Sequence, residues 1–168
     1  MERLREVRHH SGMRHWLVKT EPESFSLEDL KRLKRSSWEG VRNYQARNYM
    51  RDEMRKGDLV LIYHSNAKPP GVVGLGQVVK ESYPDHFAWQ IGHKYFDPAS
   101  TPDKPRWFMV DVGYKRTFRR LVSLDELRGM PELAGMPLVN KSRLSVQPVS
   151  PEQFEAIVAA ASAKAPRS

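Results

Sequence analysis

The chain has 168 residues and a formal net charge of +8, enough length for one domain to bury a core unaided. It contains no cysteine, which excludes a disulfide framework, a thiolate zinc site and a cysteine nucleophile. No apolar run approaches the roughly 18 residues of a membrane span, nothing reads as a signal peptide, and the positive balance favours polyanionic partners.

Residues 1–12 are polar and charged and read as an unstructured extension or a non-native leader, with Met13 as the candidate start and 162–168 as a frayed tail. Residues 14–19 (RHWLVK) predict a first strand stopped by Pro22. Ser26 predicts a helix cap, followed by Leu27, Leu30 and Leu33 on one inward face. In "KRLKR" at 31–35 the lysines and arginines then read as a solvated helix face rather than a nuclear address. From Asn43 to Lys56 the spacing of Ala46, Tyr49, Met50 and Met54 predicts a second helix ending at Gly57. Between 31 and 56 nine Lys/Arg stand against Glu39, Asp52 and Glu53, so a basic face is expected on the folded part.

"GDLVLIYHS" is too short and too β-rich for a helix and predicts a buried strand. "NAKPPG" turns the chain into a second strand, "VVGLGQVVKESY", whose Gly74 and Gly76 suggest a bulge or a bend. Residues 97–105 are a proline-rich loop. "RWFMVDVGYKRTF" alternates Phe108, Val110, Val112 and Tyr114 and predicts a half-exposed strand. Ser123 with Glu126 predicts a capping box. "RLSVQPV" is a last short strand, and Ser150, Pro151 and Gln153 open a final helix with Phe154, Ile157, Val158 and Ala161 inward. Short strands interrupted by helices, with glycine bends, predict an α+β fold: a small mixed β-barrel with peripheral helices.

The blocks "HWLVKTEPESFS", "WEGVRNYQARNYMR", "MRKGDLVLIYHSN", "GVVGLGQVV", "YPD" and "RLSVQPVS", in that order, resemble the EVE domain. The resemblance runs from about Arg14 to Val158, and the domain is assigned to 13–161. It implies a PUA-like barrel, related in fold to the YTH and ASCH domains, and recognition of modified bases in nucleic acid. Thr20 stands where the family more often has serine, and the exchange keeps the hydroxyl.

The stretch "WEGVRNYQARN" at 38–48 has a physical reading of its own. Reading one base in atomic detail requires taking it out of the stack into a pocket. Aromatic rings replace the lost stacking, amides read the base edge, and arginines hold phosphates. Trp38, Tyr44, Asn43, Arg42 and Arg47 supply these groups, and a helix starting near Asn43 turns its N-terminal amides outward. Each has a plainer reading as well. Trp38 could be a core tryptophan, Asn43 a helix cap, and Arg42 and Arg47 ion-pair partners.

Lys19 and Glu21 could pair with one another; the resemblance places them on the cavity wall. His64 and Ser65 follow a buried strand with no recognisable triad partner, which assigns them hydrogen-bonding roles. Alternation puts Arg143 and Ser145 on one strand face, and the resemblance turns that face to the cavity. Trp107 is read as packing. No spacing of His, Asp and Glu forms a metal site.

The resulting expectation is a non-enzymatic, monomeric module without metal or organic cofactor. It would bind nucleic acid and hold a modified base, a modified cytosine in DNA, in an aromatic-lined pocket. The expected location is cytoplasmic or nucleoid-associated, or nuclear in a eukaryote. Two rivals stand beside it. One is an RNA-processing enzyme of the ASCH type, using His64, Lys19, Glu21 and Arg143 as an acid–base cluster. The other is an RNA-binding domain without base selectivity.

Overall fold

A computed structural model describes residues 13–140 and 143–163. The expected extension at 1–12 and the last five residues of the tail lie outside the described residues. β1 (His15–Thr20) and β3 (Leu59–His64) pair in parallel, with Trp16 beside Val60 and Thr20 beside His64. A parallel pair needs a crossover. The intervening chain supplies it as helix α1 (Leu27–Leu33), the short strand β2 (Arg35–Ser37) and helix α2 (Tyr44–Asp52).

β4 (Gly71–Pro84), β5 (Phe108–Ser123) and β6 (Val146–Val149) complete one six-stranded sheet in the order β2-β5-β4-β3-β1-β6. Helix α3 (Leu124–Arg128) follows β5, and α4 (Pro151–Ser162) closes the chain.

Strand alternation divides the core in two. Trp16, Val18, Val60 and Ile62 point to the face covered by α1 and α2, together with Trp38 and Val110. Leu17, Leu61 and Tyr63 point the other way, to Leu127 of α3 and Ile157 of α4. The central strands are therefore apolar on both faces and read as continuous runs.

The expected α+β domain is present, but closure of its sheet into a barrel is not shown. In the described sheet β2 pairs only with β5 and β6 only with β1. Gly74 and Gly76 do mark the predicted irregularity, since the β4–β5 register shifts beside each of them. A side chain on Gly74 would run into Leu27 and the Arg116 carbonyl.

Four local expectations need correction. Leu33 is not on the buried face of α1 but 47% exposed, because six residues of helix carry it about a third of a turn away from Leu27. α2 stops at Asp52, not Lys56. Beyond it, buried Asp58 accepts from the Arg55 N–H at 2.9 Å and Trp16 Nε1 at 2.9 Å, which turns the chain into β3. At the β5–α3 junction Ser123 caps the Glu126 N–H, while the Glu126 carboxylate is taken by Arg120 at 2.7 Å. The last strand begins only at Val146, so Arg143 is not part of it and is exposed. Among the described residues no helix is long and apolar enough to cross a membrane.

Candidate nucleic-acid interface

At the end of β1 the chain leaves the sheet through Lys19, Thr20 and Glu21, and these residues form one wall of an open cavity of about 710 Å³. Further walls come from residues 36–41, which run from β2 toward α2, and from the turn 93–95. Ser65, just past β3, and Ser145, on the approach to β6, also line it. Both are tied to β1: the Lys19 N–H donates to the Ser145 carbonyl at 2.9 Å, and the Ser65 N–H donates to the Thr20 carbonyl at 3.0 Å.

Four rings frame the space: Phe25, Trp38, Tyr95 and the His93 imidazole. Trp38 is only 8% exposed and meets Phe25 edge-on at 5.8 Å. Its backbone is anchored to β5 by the bond from its N–H to the Val110 carbonyl at 2.8 Å. Between the rings lie carboxylates and hydroxyls. Glu21 accepts from Asn66 Nδ2 at 2.8 Å, and Glu39 accepts from Ser37 Oγ at 2.7 Å.

Asp85 joins two of these walls. Its side chain is fully buried. Oδ2 accepts from the Gly40 N–H at 2.9 Å and from Arg42 Nη1 at 3.1 Å, while Oδ1 accepts from the Phe87 N–H at 3.0 Å. Arg42 then donates through Nη2 to the Tyr95 carbonyl at 2.7 Å and lies 5.4 Å from the Tyr95 ring centre. Gly40 has φ 84°, and the Tyr95 ring occupies the space that a Cβ there would need. Glycine is required at that position on both counts. The glycine of "WEG" and the aspartate of "YPD" thus cooperate, although 45 residues separate them.

The cavity wall includes Lys19, Glu21, Trp38, Ser65 and Ser145 among the expected site residues, and not Arg42, Asn43, Tyr44, Arg47, His64 or Arg143. Arg42 is the bracket just described. Asn43 is the cap of α2, accepting from the Ala46 N–H at 2.9 Å. Tyr44 is half-exposed and stacks on Trp107 at 4.9 Å; Arg47 lies 4.8 Å from the Tyr44 ring and donates to the Arg106 carbonyl at 2.9 Å. Trp107 is packing, as expected, with Nε1 donating to Asp97 at 2.6 Å. Burial pulls the Lys19 ammonium below its usual pKa.

His64 Nε2 accepts the Leu27 N–H at 3.1 Å, one of the donors that the first turn of α1 leaves over. Accepting requires the neutral ring, and burial holds its pKa below the ordinary imidazole value. A depressed folded pKa contributes stability that is complete above the unfolded value and is lost as pH falls toward the folded one. His15 is depressed by burial as well, against the opposing charges of Asp58 and Glu155, so both act in the same direction. The melting temperature should therefore fall between about pH 7 and pH 5. His64→Gln should remove part of that loss. A pH profile identical in wild type and variant would show that the His64–Leu27 bond does not matter.

Missing from the expected set were Phe25, Glu39, Asp85 and the turn 93–95. For Asp85 a signal existed: an acid between a proline-ended strand and apolar residues must be hydrogen-bonded if it is buried. For the turn, no motif marks "HKY" as a cavity wall.

The structure defines an α+β domain with a ring-framed cavity of mixed polarity. Residues 14–160 match the EVE domain, and the chain belongs to that family. Human thymocyte nuclear protein 1 is 42% identical over 163 residues, which cover 86% of this chain and 72% of the human protein. A crystal structure from Pseudomonas syringae superposes with a TM-score of 0.85 at 44% identity, covering 88% of this chain and 99% of that one. The structure of human THYN1 in complex with DNA containing 5-methylcytosine superposes with a TM-score of 0.86 at 40% identity, covering 90% of this chain and 99% of the human chain.

Proposed function

We propose that this protein binds DNA carrying a modified cytosine, 5-methylcytosine in the first instance, and holds that base, turned out of the duplex, in the cavity without altering it. The observation that carries the reading is the cavity itself, in which Phe25, Trp38 and Tyr95 frame a space lined with carboxylates and hydroxyls. At about 710 Å³ it falls in the range of small-ligand sites and exceeds what one base needs. The exocyclic amine of cytosine is a donor, and Glu21 and Glu39 are acceptors on the wall. The DNA complex of the human relative supports the same ligand class. On this reading the sheet, with its β4–β5 register shifts, serves as the PUA-like frame, and the protein acts as a monomer with no metal or organic cofactor. The acid–base alternative gains little from the geometry: His64 and Arg143 are not on the cavity wall, and His64 is occupied with Leu27.

The test is equilibrium competition among DNA and RNA oligonucleotides that are unmodified or carry single modified cytosines or adenines. The expected result is preference for the 5-methylcytosine DNA. Affinity should fall with salt at a log–log slope of about −0.9 per duplex phosphate neutralised, because lysines and arginines such as those of 31–56 displace counterions from the phosphates they meet. Equal affinity for modified and unmodified strands would overturn the reading, as would conversion of the bound base to a product.

A further inference from the structure

Ile91 is the most exposed large apolar residue described, at 89%. It occupies the second position of a turn, Gln90–His93, closed by the His93 N–H donating to the Gln90 carbonyl at 3.0 Å. Gly92 follows with φ 86°, the left-handed conformation that glycine takes at the third position of such turns. A side chain on Gly92 would meet nothing within 4 Å, so the tip stands clear of the molecule.

Its base, by contrast, is firmly mounted. His93 stacks on Phe87 at 4.7 Å, the Tyr95 N–H donates to His93 Nδ1 at 3.0 Å, and the Asp97 N–H donates to the Ala88 carbonyl at 2.7 Å. The Phe87 N–H is in turn held by Asp85. An isolated exposed isoleucine usually needs no explanation. Here it is held out on a rigid turn whose next residues, His93 and Lys94, are already the rim of the cavity.

We propose that Ile91 is a wedge that enters the duplex and fills the gap left by the base taken into the cavity. The inference rests on the base-pocket reading above. Two residues of chain span at most about 7 Å, so Ile91 lies within roughly two base-pair steps of the rim. Apolar side chains inserted at such steps offset the stacking lost on extrusion. Lys94, exposed beside the tip, stands ready for a flanking phosphate.

A single strand leaves no gap to fill, and this separates the wedge from the pocket. Affinities are to be measured for a duplex with one 5-methylcytosine and for the modified strand alone, with unmodified controls. Ile91→Ala should weaken the modified duplex about tenfold and leave the single strand within about twofold, with unchanged melting. Ile91→Leu should restore duplex binding. Unchanged duplex affinity in Ile91→Ala, or equal losses on duplex and single strand, would overturn the wedge. If wild type does not prefer the modified single strand over the unmodified one, the base-pocket reading itself has failed, and that result is read before any substitution is made.

Discussion

Asp85→Ala should destabilise the protein by about 3–5 kcal/mol, the cost of removing one partner from a buried ion pair. The carboxylate is fully buried and serves two backbone N–H groups and one guanidinium at once. Its loss leaves Arg42, with only 24% of its side chain exposed, without its carboxylate partner.

Asp85→Asn should be nearly as harmful. One amide orientation presents an NH2 group to the Gly40 N–H and Arg42, and the other presents it to the Phe87 N–H, so donors meet donors either way. The consequence reaches function because Asp85 ties the 36–41 wall to the segment carrying Tyr95 and Ile91. In any variant that remains folded, affinity for 5-methylcytosine DNA should fall while the salt slope holds, since Asp85 positions walls and neutralises no phosphate. Arg42→Ala should be costly for the complementary reason, and the double variant should lose less than the sum of the two. Chemical denaturation with the binding assay measures all of this. A loss below about 0.5 kcal/mol in Asp85→Ala would show that the bracket is not needed.

The frame of this domain is legible in the sequence wherever side-chain period and capping agree. The runs at 15–20 and 59–64 are apolar on both faces and became the central strands. Ser26 and Ser150 form complete capping boxes, with Asp29 and Gln153. Gly74 and Gly76 mark the sheet irregularity. What failed was decided by long-range pairing. β2, "RSS", has no alternation and exists because β5 offers it an edge. Leu33, six residues on from Leu27, has already drifted about a third of a turn off the buried face.

The site was only half legible, for the same reason. "WEGVRNYQARN" does contribute to the cavity wall through residues 38–41, but its residues divide by role in a way spacing cannot show. Trp38 turns to the cavity, Arg42 turns back to Asp85, and Asn43 is used up as a cap. Tyr95 comes from a loop far along the chain, where only the fold puts its ring against Gly40. A sequence reading sees which groups are available. It does not see which have been spent on holding the walls together.

Trp38→Ala should cost about 3–5 kcal/mol of stability, as expected for truncation of a large buried ring. Trp38 is at once core and cavity wall. It packs with Phe25, Val41 and Val110 at 8% exposure, and its remaining surface faces the cavity. Loss of base binding in that variant would therefore say little alone, because the wall leaves with the fold. Trp38→Phe separates the roles, since it keeps a ring in the core and shortens the one presented to the base. It should melt closer to wild type than Trp38→Ala. It should also lose part of the roughly 1–3 kcal/mol that a stacked ring contributes per base, chiefly for the modified oligonucleotide. The unmodified duplex, held through phosphates, should bind almost as before. Melting and binding are to be read on the same samples. An intact fold in Trp38→Ala would remove the core role, and a folded Trp38→Phe with unaltered affinity for every modified base would show that the base stacks elsewhere.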